Sequence, residues 1–336
     1  MHGAQDRLIG GGGITLLEEH HVKRSWAPAV SALSVAATLL LGAVPPAQAD
    51  LLVSSGNSVL RFDGTTGASL GNFVAPGSGG LGSAGDLTYG PDGKLYIGDL
   101  GNFTKNIKKY DGTTGAFLSN FVTDTGLPFF HIGFGPDANL YTYELLGVAV
   151  ARYNGTTGAP LGSFTSGALV IGSGGFAFGT DGNLYASTAQ SSLSPDPGVD
   201  VFNGTTGVFI RELTGVSPGS LTFGPDGNLY VAASSQVLRY DAMAGTFSPF
   251  ASGGGLMNPG ELAFGPDGNL YVGSTNSILR YDGKTGTFLS VFVPVTGSFT
   301  FTPSVAPVPE PGGLALLAMG IVSLVTYGWR PREQPK

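Results

Sequence analysis

Two short phrases alternate along this chain at nearly constant spacing. The first reads G-P-D-G-N-L-Y-V in its most regular form, and its copies begin at Gly90, Gly135, Gly179, Gly224 and Gly265. The second, D-G-T-T-G or a close variant, begins at Asp63, Asp111, Asn154, Asn203, Asp241 and Asp282. The first phrase recurs every 41 to 45 residues, a period typical of one four-stranded propeller blade.

Each repeat predicts four short strands joined by tight turns. In the last complete repeat, residues 261–264 form the first predicted strand, and G-P-D-G-N forms the turn that follows. Proline presets φ at the second position of such a turn, and the later glycine accepts positive φ. Residues 270–272, 277–281 and 287–293 supply the other three strands. Short strands with these turns predict an antiparallel blade.

The two ends of the repeat region complete one another. Complete repeats begin at Asp86, His131, Gly175, Ser220 and Glu261. Residues 51–74 supply a second, third and fourth strand without a first, whereas residues 298–301 match only a first strand. A blade shared between the chain ends would close the ring and leave no free edge. The sequence therefore predicts an all-β fold, a six-bladed β-propeller over residues 50–303 with ring closure shared between the two chain ends.

The repeated sequence also resembles the NHL repeat family. That family's pattern of G-N-L-Y-V-A, followed by a third strand ending in an aromatic residue and Asp, is matched here by G-N-L-Y-V, L-R-Y-D and V-F-N. The resemblance covers residues 50–302 and implies a propeller. It implies little about activity, because one fold hosts many functions.

Composition narrows the chemistry open to the chain. The sequence contains no cysteine, which excludes disulfides, thiolate metal sites and a cysteine nucleophile. Its formal net charge of −7 at pH 7 argues against a nucleic-acid partner, which requires a basic surface.

The first 49 residues have the layout of a secretory signal. Lys23 and Arg24 precede an apolar stretch over residues 27–44, and Ala47-Gln48-Ala49 follows it. A basic start, an apolar centre and an A-x-A exit predict cleavage after Ala49 by signal peptidase. A retained membrane anchor is the alternative. Because residues 1–21 precede the basic pair and carry G-G-G-G and E-E-H-H, translation is hypothesised to start at residue 22.

The C-terminal segment carries a second targeting pattern. Residues 304–311 form a linker that ends in Pro309, Glu310 and Pro311, and residues 312–336 contain an apolar run followed by Trp329, Arg330 and Arg332. The run over residues 312–328 predicts a transmembrane helix about 25 Å long, with the arginines on the cytoplasmic side.

This segment resembles the PEP-CTERM sorting tail, although Pro331 and Glu333 interrupt its basic cluster. The resemblance implies that an exosortase, a membrane-embedded cysteine transpeptidase, recognises the Pro-Glu-Pro motif. The protein would then be anchored in the inner membrane only transiently before it reaches the cell surface or the medium. A plain C-terminal anchor is the alternative.

Candidate binding residues lie where the predicted strands meet the mouth of the central channel. Asp86, His131 and Glu261 stand at the heads of first strands, and Asp99 and Glu144 follow second strands. An Asp, a His and a Glu on one ring could bind a divalent cation such as Ca²⁺, at positions that resemble those of gluconolactonase-like propellers. The alternative is that these groups only cap a hydrated channel and that the protein has no cofactor.

Catalytic motifs are missing from the sequence. His131 is the only histidine after residue 49, and the chain has no G-x-S-x-G, H-E-x-x-H, P-loop or dinucleotide fingerprint, so it lacks the usual signatures of hydrolases and nucleotide enzymes. The leading hypothesis is an exported binding or matrix protein of the cell envelope, with an exopolysaccharide or an envelope protein as its partner. A metal-dependent lactonase or lyase and a ligand-free structural spacer are the alternatives.

Overall fold

Six four-stranded antiparallel sheets make up most of the chain that the structure, a computed structural model, describes. The described residues are 49–101, 105–124, 129–144, 149–165, 169–170, 174–188, 190–191 and 196–303. Of the predicted signal, residues 1–49, only Ala49 lies within them, where it is buried. The predicted sorting tail after residue 303 lies outside them. Within the described ranges, no helix has the length and apolar character needed to span a membrane.

The sheets are the blades of a six-bladed β-propeller, as the repeat predicts. From the innermost strand outward, blade 1 consists of Phe299–Phe301, Leu51–Ser55, Ser58–Phe62 and Ser69–Val74, and blade 2 of Ala84–Tyr89, Leu95–Asp99, Lys105–Tyr110 and Phe117–Asp124. Blade 3 consists of Phe129–Phe134, Leu140–Glu144, Val150–Tyr153 and Pro160–Ser163, and blade 4 of Phe176–Phe178, Leu184–Thr188, Gly198–Phe202 and Phe209–Leu213.

The last two blades follow the same order. Blade 5 consists of Leu221–Phe223, Leu229–Ala233, Gln236–Asp241 and Thr246–Ala251, and blade 6 of Leu262–Phe264, Leu270–Gly273, Ile278–Tyr281 and Phe288–Val293. Two shorter elements lie between blades, the ribbon formed by Leu169–Val170 and Gln190–Ser191 and the 3₁₀ turn Ser78–Gly80.

The two chain ends share blade 1, so the predicted ring closure is confirmed. Its innermost strand, Phe299–Phe301, pairs antiparallel with Leu51–Ser55, and Val53 lies opposite Phe299. The amide of Ser54 donates to the carbonyl oxygen of Ser298 at 2.9 Å, which extends this pairing by one residue. The ring is therefore complete within residues 49–303.

Tyrosines of the first phrase join each of blades 2 to 6 to the blade that follows it. The ring of Tyr271 in blade 6 makes edge contacts with Phe292 of its own blade and Phe301 of blade 1, both with centroids 4.9 Å apart. Its hydroxyl donates to the turn carboxylate of Asp267 at 3.0 Å. Tyr96, Tyr141, Tyr185 and Tyr230 repeat this hydrogen bond with their own turn aspartates. Such aromatic pairs stabilise proteins by about 1 kcal/mol each beyond their buried area.

Both turn phrases lie at one end of the blades. A Cβ at Gly265 would stand 2.6 Å from Cε2 of Tyr271, and Gly268 has φ +75°, so glycine suits both positions of this turn. In blade 3, Ala138 takes the second position with φ +61°. A Cβ on Gly283 of the second phrase would overlap the carbonyl oxygen of Gly268, which places the two turns side by side. The opposite end of the propeller therefore carries the loops that differ between repeats.

Candidate functional site

A polar cavity of about 540 Å³ opens at the end of the channel that carries the variable loops. We call it the mouth cavity. Its walls come from the connections between consecutive blades and from the loops between second and third strands. They include Gly174, Gly219, Ser220, Ser234, Asn258, Pro259, Gly260, Ser274, Thr275, Thr296, Gly297 and Ser298. The volume falls within the range of about 300–1,000 Å³ that is usual for ligand pockets.

A second cavity of about 240 Å³ lies among the innermost strands, all six of which contribute to its lining. We call it the inner cavity. His131 and Glu261 line both cavities, so these two side chains lie at the boundary between them. Asp86 lines the inner cavity only.

Asp86 and His131 form a charged hydrogen-bonded pair between blades 2 and 3. Nδ1 of His131 lies 2.9 Å from Oδ2 of Asp86, whose side chain is only 5% exposed. The same carboxylate oxygen accepts the amide of Ile132 at 2.8 Å, and Oδ1 accepts the amide of Leu87 at 2.9 Å. Both oxygens of Asp86 therefore have partners, and the carboxylate ties its own strand to that of blade 3.

His131 continues this contact into blade 4. Its Nε2 lies 3.0 Å from the carbonyl oxygen of Phe176, and its ring stands edge-on to the Phe176 ring with centroids 4.7 Å apart. A Cβ on Gly175 would lie 2.9 Å from Cγ of His131, so the absence of a side chain at residue 175 makes room for the imidazole. His131 thus lies on the innermost strand of blade 3, and its side chain links blades 2, 3 and 4.

The geometry favours the protonated form of His131. A carbonyl oxygen can only accept, so Nε2 donates to Phe176, and donation from Nδ1 to the Asp86 carboxylate then requires a second proton on the ring. Burial lowers the pKa of His131, but the charge and the hydrogen bond of Asp86, with smaller help from Glu261 and Phe176, outweigh it and raise the pKa to about 9.

Glu261 belongs to the same cluster but comes from blade 6. Asp86, His131 and Glu261 each offer one atom that could bind a metal ion, and these three atoms lie within 4.8 Å of one another. Burial and the nearby charge of Asp86 raise the pKa of Glu261 to about 7, although the positive charge of His131 acts in the opposite direction. The carboxylate of Glu261 shares that positive charge with Asp86 and faces both cavities.

Asp86, His131 and Glu261 are residue types that bind divalent cations, but both ring nitrogens of His131 already have hydrogen-bond partners. A metal-bound imidazole must be neutral and offer a free nitrogen lone pair. In this structure, both ring nitrogens of His131 have acceptors at 2.9 and 3.0 Å. A cation held through His131 would have to break one of these contacts, so the present geometry does not fit a metal bound through the imidazole.

Titration calorimetry with Ca²⁺, Mn²⁺ and Zn²⁺ checks this conclusion. We expect no saturable heat at pH 5 or pH 7 from the fragment of residues 49–303, because the proton of the imidazolium and the charge of the metal exclude each other. Stoichiometric binding that strengthens from pH 5 to pH 7 and disappears in His131→Ala would contradict it and would favour the metalloenzyme alternative.

The other predicted site residues are separate from this cluster or lie outside the described residues. Oδ1 of Asp99 accepts the amides of Gly82, Ser83 and Gly101 at 3.0 to 3.1 Å, and its Oδ2 lies 3.6 Å from the buried ammonium of Lys108. Asp99 thus holds a loop. The backbone of Glu144 pairs with that of Phe129, and its side chain is outside the described set, as are Ala47, Pro309, Glu310, Pro311, Arg330 and Arg332.

Sequence reasoning missed Phe130, which also lines the mouth cavity. Its side chain is 47% exposed, whereas that of Phe129 is 1% exposed. A signal was present, because side chains alternate between the faces of a strand and adjacent phenylalanines cannot both enter the core.

Comparisons with known proteins support the fold. No protein-family model matches the sequence, and no curated protein matches it significantly. Among solved structures, one in the crystal structure of a nidogen/laminin complex is similar with a TM-score of 0.60 and 16% identity, over 76% of this chain and 99% of that one. A protein of unknown function from Bacteroides caccae is similar with a TM-score of 0.52 and 14% identity, over 76% of this chain and 99% of that one.

A third similar structure is the extracellular domain of a protein assigned to a one component system in B. thetaiotaomicron. It has a TM-score of 0.50 and 16% identity, over 82% of this chain and 43% of that one. Identities this low establish a shared fold and no more. Fold and cavities together define the class of this protein: a six-bladed β-propeller with a polar cavity at one end of its axis.

Proposed function

We propose that this protein is an exported propeller of the cell envelope that binds an exopolysaccharide or an envelope protein. The observation that carries the proposal is the mouth cavity of about 540 Å³, which lies among variable loops while the rest of each blade repeats. Binding sites concentrate on variable loops that a rigid scaffold holds in place.

Export is supported by both ends of the sequence and by two of the similar structures. Residues 23–49 have the order of a secretory signal. One similar fold belongs to a nidogen/laminin complex and another is an extracellular domain. We take these structural similarities as support for an extracellular binding role of this chain.

Delivery to the envelope rests on the C-terminal segment. The Pro309-Glu310-Pro311 motif, the apolar run over residues 312–328 and the terminal arginines follow one another in the order of a sorting tail. In our proposal, an exosortase recognises the motif and releases the protein or transfers it to the surface. The propeller would then meet its ligand outside the cell.

One expression experiment tests both parts of the proposal. We expect the wild-type chain, tagged inside the propeller, to be recovered with the extracellular polysaccharide in a shortened form. Replacing Pro309, Glu310 and Pro311 by Ala should trap an unshortened form in the membrane fraction, while the fragment of residues 49–303 should still bind the isolated polysaccharide. Fractionation with immunoblotting and sedimentation with the polymer measure the two arms.

The two arms fail independently. Normal shortening of the triple-alanine variant would refute sorting through this motif and favour a plain anchor. A fragment that sediments with neither the polymer nor an envelope protein would refute the binding role and favour a structural spacer. The lactonase or lyase alternative depends on the metal titration described above, because its proposed centre is the Asp86–His131–Glu261 cluster.

A further inference from the structure

We propose that the mouth cavity receives a single pyranose unit, at an end or branch of a polysaccharide, which stacks on Phe130 and donates hydroxyl hydrogen bonds to Glu261. This inference rests on the proposed binding function and deepens it by naming the chemistry of the ligand. It follows from three features of the described lining of the cavity: hydroxyl-rich walls, an exposed aromatic ring and an acidic floor.

The walls are suited to a neutral ligand that carries many hydroxyl groups. Their short polar side chains are Ser220, Ser234, Asn258, Ser274, Thr275, Thr296 and Ser298. Hydroxyls both donate and accept, and an amide offers one group of each kind. Glycines at residues 174, 219, 260, 273 and 297 also bring backbone close to the cavity. A sugar ring presents the complementary mixture of donors and acceptors.

Phe130 supplies the apolar surface that such a ligand also needs. It is 47% exposed on the cavity wall, while its neighbour Phe129 is buried in the core. Aromatic side chains commonly line ligand pockets beside a few polar groups. One face of a pyranose consists of C–H groups, and these pack against the electron-rich face of an aromatic ring.

Glu261 is the acceptor at the floor of the cavity. Its carboxylate lies near His131, whose imidazolium is held by Asp86 at 2.9 Å and by the carbonyl oxygen of Phe176 at 3.0 Å. The imidazolium therefore has its own partners. Glu261, which also accepts hydrogen bonds from the Ser220 hydroxyl and the Leu262 amide, lines both cavities. Above its raised pKa of about 7, Glu261 is a carboxylate, and hydroxyl donors to a carboxylate form hydrogen bonds roughly twice as strong as neutral ones.

The floor also explains why the ligand is one unit rather than a threaded chain. His131 and Glu261 lie between the mouth cavity and the inner cavity, and the cluster atoms approach within 4.8 Å of one another. Side chains of blades 3 and 6 meet there across the axis, so we expect a polymer not to thread from one cavity into the other. It can enter the mouth cavity by an end or a branch, with the remaining chain lying across the loops.

Two variants and one matched control test the assignment in the fragment of residues 49–303, within which the ring is complete. Phe130→Ala removes the stacking ring, and Glu261→Gln keeps the shape of the side chain but removes its charge. Leu118→Ala removes an apolar side chain of equal exposure, 47%, from an outermost strand. The probes are the isolated extracellular polysaccharide, followed by sedimentation, and glucose, galactose, mannose and N-acetylglucosamine, followed by saturation-transfer NMR.

We expect Phe130→Ala and Glu261→Gln each to lower the affinity for the polysaccharide at least tenfold and to abolish the saturation transfer to the C–H protons of the preferred sugar. Leu118→Ala should behave like the wild type. If both variants bind the polymer as the wild type does, the subsite is wrong while the binding function stands. If the wild type itself does not bind the polymer, the polysaccharide part of the proposed function fails, and the sugar subsite fails with it. Thermal melting checks that each variant is folded. If Glu261→Gln is not folded, the result for Phe130→Ala alone decides whether the subsite is correct.

Discussion

A fragment that ends at Gly297 should be largely unfolded under conditions in which the fragment of residues 49–303 is folded. The deletion removes the innermost strand of blade 1 and exposes the edge of Leu51–Ser55. It also removes Phe299, which is 3% exposed and packs with Leu51, Val53 and Tyr271. Loss of Phe299 and of the partly buried Phe301 costs about 2–5 kcal/mol in buried area alone, a large share of a typical total stability of about 5–15 kcal/mol.

Chemical denaturation of the two fragments, followed by circular dichroism, measures this loss. A milder version keeps the strand: Phe299→Ala should cost about 3–5 kcal/mol, because it leaves a cavity between blades 6 and 1. Leu289→Ala, at a 46% exposed position on an outermost strand, is the control and should change stability by about 0.5 kcal/mol or less. Equal midpoints for the shortened fragment and the full one would contradict ring closure by residues 299–301.

The wild-type propeller should lose stability as the pH rises from about 6.5 to 9. The pKa of His131 is raised from 6.5 to about 9 in the folded state. A raised pKa means that the stabilisation is fully present below the unfolded value and disappears as the pH passes through the folded value. Each pKa unit corresponds to 1.36 kcal/mol, so the expected loss is on the order of 3 kcal/mol. Glu261, whose pKa is also raised, acts in the same direction at lower pH.

His131→Gln isolates this contribution. Its free energy of unfolding should fall on the order of 3 kcal/mol below that of the wild type at pH 6, and the two proteins should converge near pH 9.5, where the wild-type imidazole is neutral. Removal of one partner from a buried charged pair typically costs about 3–5 kcal/mol. Urea titrations across this pH range provide the measurement.

Glu261→Gln is the matched control for the charge cluster. Because its partly buried carboxylate lies near that of Asp86, replacing it with the neutral amide should increase stability at pH 8 and leave it nearly unchanged at pH 5. A His131→Gln deficit of equal size at pH 6 and pH 9.5 would show that packing of the ring, rather than its charge, accounts for the effect.

The blades were predictable because the signals that define them are local. A G-P-D-G turn is specified by the conformations that its own residues allow, and Gly93, with φ +70°, adopts the one that only glycine adopts readily. Five repetitions turn each weak signal into a strong one. Residues 298–301 match a first strand, and only the blade formed by residues 51–74 lacks one. The pairing of these two segments, about 250 residues apart in the sequence, could therefore be predicted from the sequence alone.

Roles within the candidate site were less predictable, because they depend on neighbours from other blades. Asp86 and Asp99 look alike in the sequence, since each lies at an end of a predicted strand. In the structure, Asp86 pairs with His131 of blade 3, whereas Asp99 accepts three loop amides and faces Lys108. The aspartate of the G-P-D-G turn is a further example, because its second oxygen accepts the hydroxyl of the blade tyrosine.

By itself, the sequence determined the number of blades, their four-strand plan and the joint closure of the ring, because turn chemistry and strand alternation act over a few residues and repeat in every blade. Only the tertiary structure decided that the imidazole of His131 is held by Asp86 and Phe176, and that Phe130 and Glu261 line the same cavity. These contacts join strands from different blades across the channel axis. Hydrogen-bond geometry and local charge at such a distance in sequence exist only once the ring has closed.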